Sequence, residues 1–427
     1  MLLSGCFMAS VEDLLRAPKP PEAYVELAPA ISELLVGGYR YSPPLAGQNR
    51  QQIQMPDLGG NGAEEALVFL GRDDGPLRIY IYAKRDDHYG EICYIEDDSE
   101  AVDSVLYADL DGDGRREIIV GWRTGGLKNL AVYSYDGERA VRLMRVSYDI
   151  HLIADMTGDG VENLVVLRHD PVKKSGVAEL YGMDRDAVFS LLSEAPLSQG
   201  MELIKRVITG NLSDGKLAVF VAGQWGGSGT VTDVLAHQRR GLTNISLHEN
   251  TWASEDNIRA HKINTADVNG DGVVEVPRPI LLPAYSEETQ DFWCIEWCSY
   301  NSFGQVKTVL YTYHNQSDGW YLELPESWVG NLIVRREDII PGERALIFAL
   351  QTTGGPVDIV ALYTTTLSRD LLNKDSRALI GTHGDTTVLA SFPVADIEQM
   401  ALYSVTAEYM KERLKWIRSD WITGETA

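Results

Sequence analysis

Asp109-Leu-Asp-Gly-Asp-Gly-Arg-Arg-Glu117, followed at once by Ile118-Ile-Val120, is the stretch on which the fold turns. Carboxylates stand at the first, third, fifth and ninth places, and glycines at the fourth and sixth. In a tight loop alternate side chains point to the same side, so Asp109, Asp111 and Asp113 converge. Gly112 and Gly114 let the chain curl without steric cost. Glu117 can close the group from the start of the apolar run. Calcium takes six to eight hard oxygen ligands, and a backbone carbonyl near Arg115 would complete such a ring. Four carboxylates so close together repel one another unless a cation lies among them.

The pattern recurs. Asp267-Val-Asn-Gly-Asp-Gly-Val-Val-Glu275 offers a full ligand set in Asp267, Asn269, Asp271 and Glu275. A weaker set, Asp155, Thr157, Asp159 and Asn163, lies in Asp155-Met-Thr-Gly-Asp-Gly-Val-Glu-Asn163, where two charges replace four. Asp57-Leu-Gly-Gly-Asn-Gly-Ala-Glu-Glu65 has Gly59 at the third place, and Asn211-Leu-Ser-Asp-Gly215 is a residue short. For these two the reading is an Asx turn, in which the side chain bonds its own backbone. A ghost of the pattern lies near Glu337–Glu343.

First positions at 57, 109, 155, 211 and 267 give spacings of 52, 46, 56 and 56 residues. A period near fifty with strand signals fits one four-stranded propeller blade per repeat. In the second repeat Ser104–Ala108 reads as strand one, Ile118–Trp122 as strand two, Leu130–Tyr135 as strand three and Val141–Val146 as strand four. Asp136-Gly137 is the hairpin turn between the last two. In the first repeat, Ala66–Leu70 and Leu77–Ala83 are strands, the latter alternating with period two. The predicted fold is all-β, a β-propeller of six to seven four-stranded blades with a C-terminal helix.

These loops resemble the FG-GAP and VCBS repeats of integrin-α-like propellers. The resemblance runs from about Gln51 to Phe392 and is specific in the three clear loops. It implies a propeller, calcium in the loops and an extracellular role in adhesion or recognition, without catalysis. The metal ligands it implies are Asp109, Asp111, Asp113, Glu117, Asp155, Asp159, Asp267, Asn269, Asp271 and Glu275.

The flanks read differently. Leu3-Ser4-Gly5-Cys6 resembles the lipobox of bacterial lipoproteins, in which the Cys becomes the N-terminus and carries lipid. The expected address is therefore the outer face of a bacterial membrane, reached through lipid on Cys6. The expected organisation is a signal remnant at 1–6, a Pro-rich tether at 7–50 with a short helix near Ile31–Leu35, a propeller at 51–392 and a helix at 393–427. In the last segment Ile397, Met400, Ala401, Val405, Met410, Leu414, Ile417 and Trp421 recur at helical spacing, a stripe expected to dock on the main body.

Composition bounds the partners. Acidic residues outnumber basic ones by 62 to 38, for a formal charge of −24, and such a surface repels phosphate backbones and excludes nucleic acid. With 44% hydrophobic residues, a folded core is expected. Cys294 and Cys298, four apart on one strand, would lie about 13 Å from each other, too far for a disulfide, and read as buried thiols. No Gly-x-Ser-x-Gly elbow, P-loop, dinucleotide glycine pattern or His-Glu-x-x-His occurs. Paired acids for glycoside cleavage leave no linear motif. The richest aromatic segment, Phe292–Tyr321, reads as blade core, with sugar or peptide binding as its other use. Pro277 and Pro279 are expected to interrupt the strand after Glu275. The functional expectation is a monomeric, non-catalytic scaffold for a protein or glycan ligand. The alternatives are a propeller enzyme acting on polysaccharide and an envelope assembly factor.

Overall fold

The computed structural model describes residues 22–73, 75–85, 88–184, 188–260, 263–285, 291–366, 377–393 and 405–417. Cys6 and the lipobox lie outside these, as do Ile397, Met400, Ala401 and Trp421. The chain divides into two compact units, residues 1–149 with 182–190 and residues 150–181 with 191–427.

In the first unit, helix α1 (Glu22–Val36) precedes a sheet made of β1 (Arg40–Tyr41), β2 (Ile53–Gln54), β3 (Ala66–Arg72), β4 (Gly75–Arg85) and β5 (His88–Asp97). β1 and β2 pair with different halves of β3, opposite Leu70–Gly71 and Leu67–Val68 respectively. A second sheet runs in chain order through β6 (Ala101–Ala108), β7 (Glu117–Thr124), β8 (Leu127–Tyr135) and β9 (Ala140–Ser147). Its four strands overlap the four predicted ones, and the Asp136 carboxylate caps the last hairpin by accepting from the N–H groups of Glu138 and Arg139.

Four more sheets lie in the second unit, apart from the ends of β12 and β13 within residues 182–190. The third holds β10 (Ile150–Ala154), β11 (Asn163–Asp170), β12 (Ser175–Met183) and β13 (Phe189–Pro196). The fourth holds β14 (Ile204–Asn211), β15 (Leu217–Trp225), β16 (Gly229–Gln238) and β17 (Gly241–Asn244). The fifth holds β18 (Glu275–Leu281), β19 (Trp293–Tyr300), β20 (Val306–Asn315) and β21 (Trp320–Leu324). The sixth holds β22 (Leu332–Arg336), β23 (Glu343–Thr352), β24 (Gly355–Thr365), β25 (Ala378–His383) and β26 (Thr386–Ser391). Six antiparallel sheets of four or five strands, present among the described residues, are the blades of a β-propeller fold.

Burial follows strand position. β3, β7, β11 and β15 carry the continuous apolar runs Ala-Leu-Val-Phe-Leu, Ile-Ile-Val, Leu-Val-Val-Leu and Ala-Val-Phe-Val, and are buried on both faces. The outer strand β9 is mostly exposed, its side chains alternating in contact with the body. Every acidic loop thus opens onto one of these buried strands or, for 267–275, onto β18. That is why its ninth residue is taken out of water.

The flanks depart from expectation. From residue 22 the predicted tether is structured: α1 is fifteen residues long with Pro29 inside it, and Leu27 and Ile31 are buried against Ile53, Val68 and Tyr80. The C-terminal helix is also shorter than predicted. α2 spans Ala407–Arg413, Thr406 caps it by accepting from the Tyr409 N–H, and Met410 docks in the core of the last two blades. Leu414 then leaves the helix, and β27 (Leu414–Trp416) joins the fifth sheet as a further strand beside β21. Pro277 and Pro279 do not interrupt β18, which pairs continuously with β19 from Glu275 to Leu281. β18 is the edge strand of its sheet, so the missing N–H groups break no ladder.

The aromatic segment is largely core: Trp297, Tyr300, Tyr313 and Trp320 are buried, while Phe303 is 78% exposed. Cys294 and Cys298 are free, buried thiols on β19, and burial pushes them up to about 11 and about 12.

Candidate metal centre

Four of the acidic loops share one backbone frame. In the loop of residues 109–117 the Asp109 carboxylate accepts from the N–H groups of Gly112 (2.7 Å) and Gly114 (2.9 Å), and Asp113 accepts from Arg115 (2.8 Å). Glu117 accepts from the Leu110 N–H at 2.9 Å. The same bonds recur in the loop of residues 267–275, where Asp267 holds Gly270 and Gly272, Asp271 holds Val273, and Glu275 holds Val268 at 3.0 Å. In the loop of residues 155–163, Asp155 holds Gly158 and Gly160, Asp159 holds Val161, and the Asn163 amide oxygen takes the place of the glutamate. Residues 57–65 complete the set through Asp57, Asn61 and Glu65. Residues 211–215 form a plain turn without this frame, closed by Gly215 N–H on Leu212 O.

Within each unit successive loops are tied by backbone. The Arg116 N–H donates to Leu58 O at 2.8 Å, and the Val274 N–H to Asn211 O at 3.0 Å. Gly60 sits at φ 64° so close to the next loop that a Cβ there would fall 1.8 Å from Gly114 O.

Among the described residues Asp109, Asp111 and Glu117 form the one group of acids whose ligand oxygens all lie within 4.8 Å of one another. Asp113 is engaged at Arg115 and stands outside that group. Glu117 is only 3% exposed, and burial together with Asp111, Asp113 and Asp109 pushes its pKa up to about 7. Burial and its Asp113 neighbour raise Asp111 as well. Glu275 is fully buried, and burial with Asp271 and Asp267 lifts it to about 7. Its Oε1 is buried with no hydrogen-bond donor, while Oε2 holds Val268. Carboxylates this dehydrated and this crowded are stabilised as anions by a bound cation. The residues therefore fit calcium, which Asp109, Asp111 and Glu117 would hold in the first unit and Asp267, Asn269, Asp271 and Glu275 in the second. The loop of residues 57–65 has the frame without the third-place carboxylate, and its Glu65 is raised by burial and, to a lesser extent, by Asp57.

A second site lies in the second unit and has no counterpart in the sequence motifs. A cavity of about 220 Å³ is lined by Phe292 and Trp293 of the β18–β19 side, by Tyr313, His314 and Asp318 around the β20–β21 turn, and by Arg336 and Arg344 of the last blade. His314 is stacked on Tyr321 with ring centroids 5.1 Å apart. Asp318 is paired with Arg344 and accepts from Asn315 at 2.8 Å, and Arg336 is held by Asp338 at 2.6 Å. The aromatic density of Phe292–Tyr321 marks this segment in the sequence. Nothing in the sequence signals that Arg336 and Arg344 line one cavity with it.

No family model matches the chain, and no curated protein matches it. Solved structures similar to it include the rhamnogalacturonan lyase YesW, at 12% identity and TM-score 0.35, covering 91% of this chain and 80% of that one. The exotype rhamnogalacturonan lyase YesX follows at 13% identity and TM-score 0.33, covering 83% and 72%. A europium-containing methanol dehydrogenase has 10% identity and TM-score 0.22, covering 72% and 85%. The similar structures named are enzymes, in contrast to the expectation of a non-catalytic scaffold. That expectation rested on the resemblance to adhesion-type propellers and on the lack of nucleophile and phosphate motifs. Acids and bases drawn from different blades pair in space and leave no such trace.

Proposed function

We propose that the chain is a calcium-loaded β-propeller of the FG-GAP and VCBS type that acts on a polysaccharide. The observation that carries the calcium half is the convergence of Asp109, Asp111 and buried Glu117 within 4.8 Å. Calcium there neutralises the clustered anions and fixes the loop that opens each buried strand, a structural task that leaves the chemistry to other residues. The cavity of the second unit supports the polysaccharide half. Phe292 and Trp293 offer ring faces for the C–H surface of sugars, Arg336 and Arg344 offer planar donors for hydroxyl or carboxylate oxygens, and His314 is a titratable group beside them.

The test uses the calcium-saturated protein with a panel of neutral and uronate-containing polysaccharides, following binding by calorimetry and cleavage by new reducing ends and by the ultraviolet absorbance of unsaturated products. Binding and cleavage of at least one substrate are expected, weakened at least tenfold in Arg336→Ala and in Trp293→Ala. Neither binding nor cleavage anywhere in the panel would refute the polysaccharide reading. Calcium titration of the parent protein tests the other half separately.

A further inference from the structure

The second unit buries an arginine that lacks an anion. Arg259, in the loop between β17 and β18, is 2% exposed. Its Nε donates to Ile263 O at 2.7 Å, and its Nη1 donates to Thr232 Oγ1 at 2.9 Å and Asn257 O at 3.1 Å. Every one of these acceptors is neutral. Its Nη2 is buried and has no acceptor. Two residues beyond Ile263, the hydroxyl of Thr265 is also buried without a partner, in a residue 2% exposed. The backbone oxygen of that same Thr265 accepts from Arg206 Nη1 at 2.8 Å, which brings a second guanidinium to the place. Burial and the Arg206 charge depress Arg259 to about 9, and no carboxylate opposes them.

The nearby acids are committed elsewhere. Asp233, adjacent in sequence to Thr232, is fully buried and accepts from the Ser198 N–H at 2.8 Å and from the hydroxyls of Ser198 and Ser254 at 2.5 Å each. Asp256 lies at the surface, 3.9 Å from Arg278 and 3.1 Å from His248. Arg278, the third arginine of the region, is by contrast supplied, donating to Asn257 Oδ1 at 3.2 Å and to the Tyr300 hydroxyl at 2.7 Å.

A buried cation without a counter-ion costs several kcal/mol, and each unmet donor adds to that. Two neighbouring guanidinia, a free Nη2 and a free hydroxyl meet the needs of one small anion. A polymer cannot reach a residue this deep. We propose that Arg259 Nη2 and Thr265 Oγ1, with Arg206 beside them, bind a small inorganic monovalent anion of the chloride class as a structural part of the second unit.

The experiment keeps the full chain saturated with calcium and holds ionic strength constant while gluconate, too large for the site, is exchanged for chloride. The melting temperature of the second unit should rise with chloride in the parent protein. Thr265→Val, which keeps the shape and removes one donor, should raise the chloride concentration needed for half the effect roughly tenfold. Arg259→Gln should abolish the dependence. Crystals of the parent protein grown in bromide provide a reading that needs no variant: an anomalous peak within hydrogen-bond distance of Arg259 Nη2 is expected. A melting temperature indifferent to chloride, or a water without anomalous signal at that position, would overturn the assignment.

Discussion

Replacing the buried carboxylate of the second-unit loop should act in opposite directions with and without calcium. Glu275 is fully buried, one of its oxygens has no donor, and its pKa is raised from the ordinary 4.5 to about 7. A raised carboxylate pKa means that the folded state holds the proton more tightly than the unfolded one. Metal-free stability is therefore greatest below pH 4.5 and falls as pH rises through the window from 4.5 to about 7. At about 1.4 kcal/mol per pH unit the full loss is about 3 kcal/mol, an upper figure for one site. Glu275→Gln keeps the acceptor for the Val268 N–H and removes the charge. In chelator at pH 8 the variant should melt about 5 °C above the parent, and at pH 4 the two should coincide. In saturating calcium the order should invert, because the cation offsets the parent's burial cost and the variant has lost a charged ligand. Calorimetric scans of both proteins at pH 4, 6 and 8, with calcium and with chelator, supply the full grid. A shift of the same sign and size in calcium and in chelator would refute the reasoning, since Glu275 would then be a buried acid unconnected with any cation.

Four further outcomes follow from the geometry. Asp111→Ala should lose most of the calcium-dependent stabilisation of the first unit, about 2.7 kcal/mol at a hundredfold excess over Kd, read as a calcium-dependent melting shift. Asp57→Ala should lower stability by about 1–3 kcal/mol equally in calcium and chelator, because Asp57 holds the N–H groups of Asn61 and Gly62 in a loop without a third-place ligand. Gly60→Ala should destabilise the first unit by at least about 2 kcal/mol in urea titration, through its positive φ and the collision with Gly114 O. Trp328→Ala, at 1% exposure in the core of the last two blades, should cost about 3–5 kcal/mol by the same measurement.

Much of this molecule was legible from residue order because its signals are local. The fourth- and sixth-place glycines, the odd-place acids and the apolar run after the ninth place prescribe the loop frame, and the structure carries that frame four times. β6 to β9 overlap the predicted strands because their dense apolar, β-branched and aromatic runs and the Asp136-Gly137 turn are read within a few residues of each strand. The same local reading missed where competition from elsewhere in the chain decides. α1 tolerates Pro29 because Leu27 and Ile31 gain a blade to pack against. Leu414–Trp416 leaves the predicted helix because β21 offers an unpaired edge. Pro277 and Pro279 stay in a strand because it is an edge. The sequence by itself determined the repeat, the strand order within a blade and the acidic loops, all of which depend on neighbours in the chain. Only the tertiary structure decided which of those acids are dehydrated, that Arg336 and Arg344 line one cavity with Trp293 and His314, and that Arg259 lies buried beside Arg206 without a carboxylate. Desolvation and charge pairing are set by distances in space between residues tens of positions apart, and no periodicity along the chain records them.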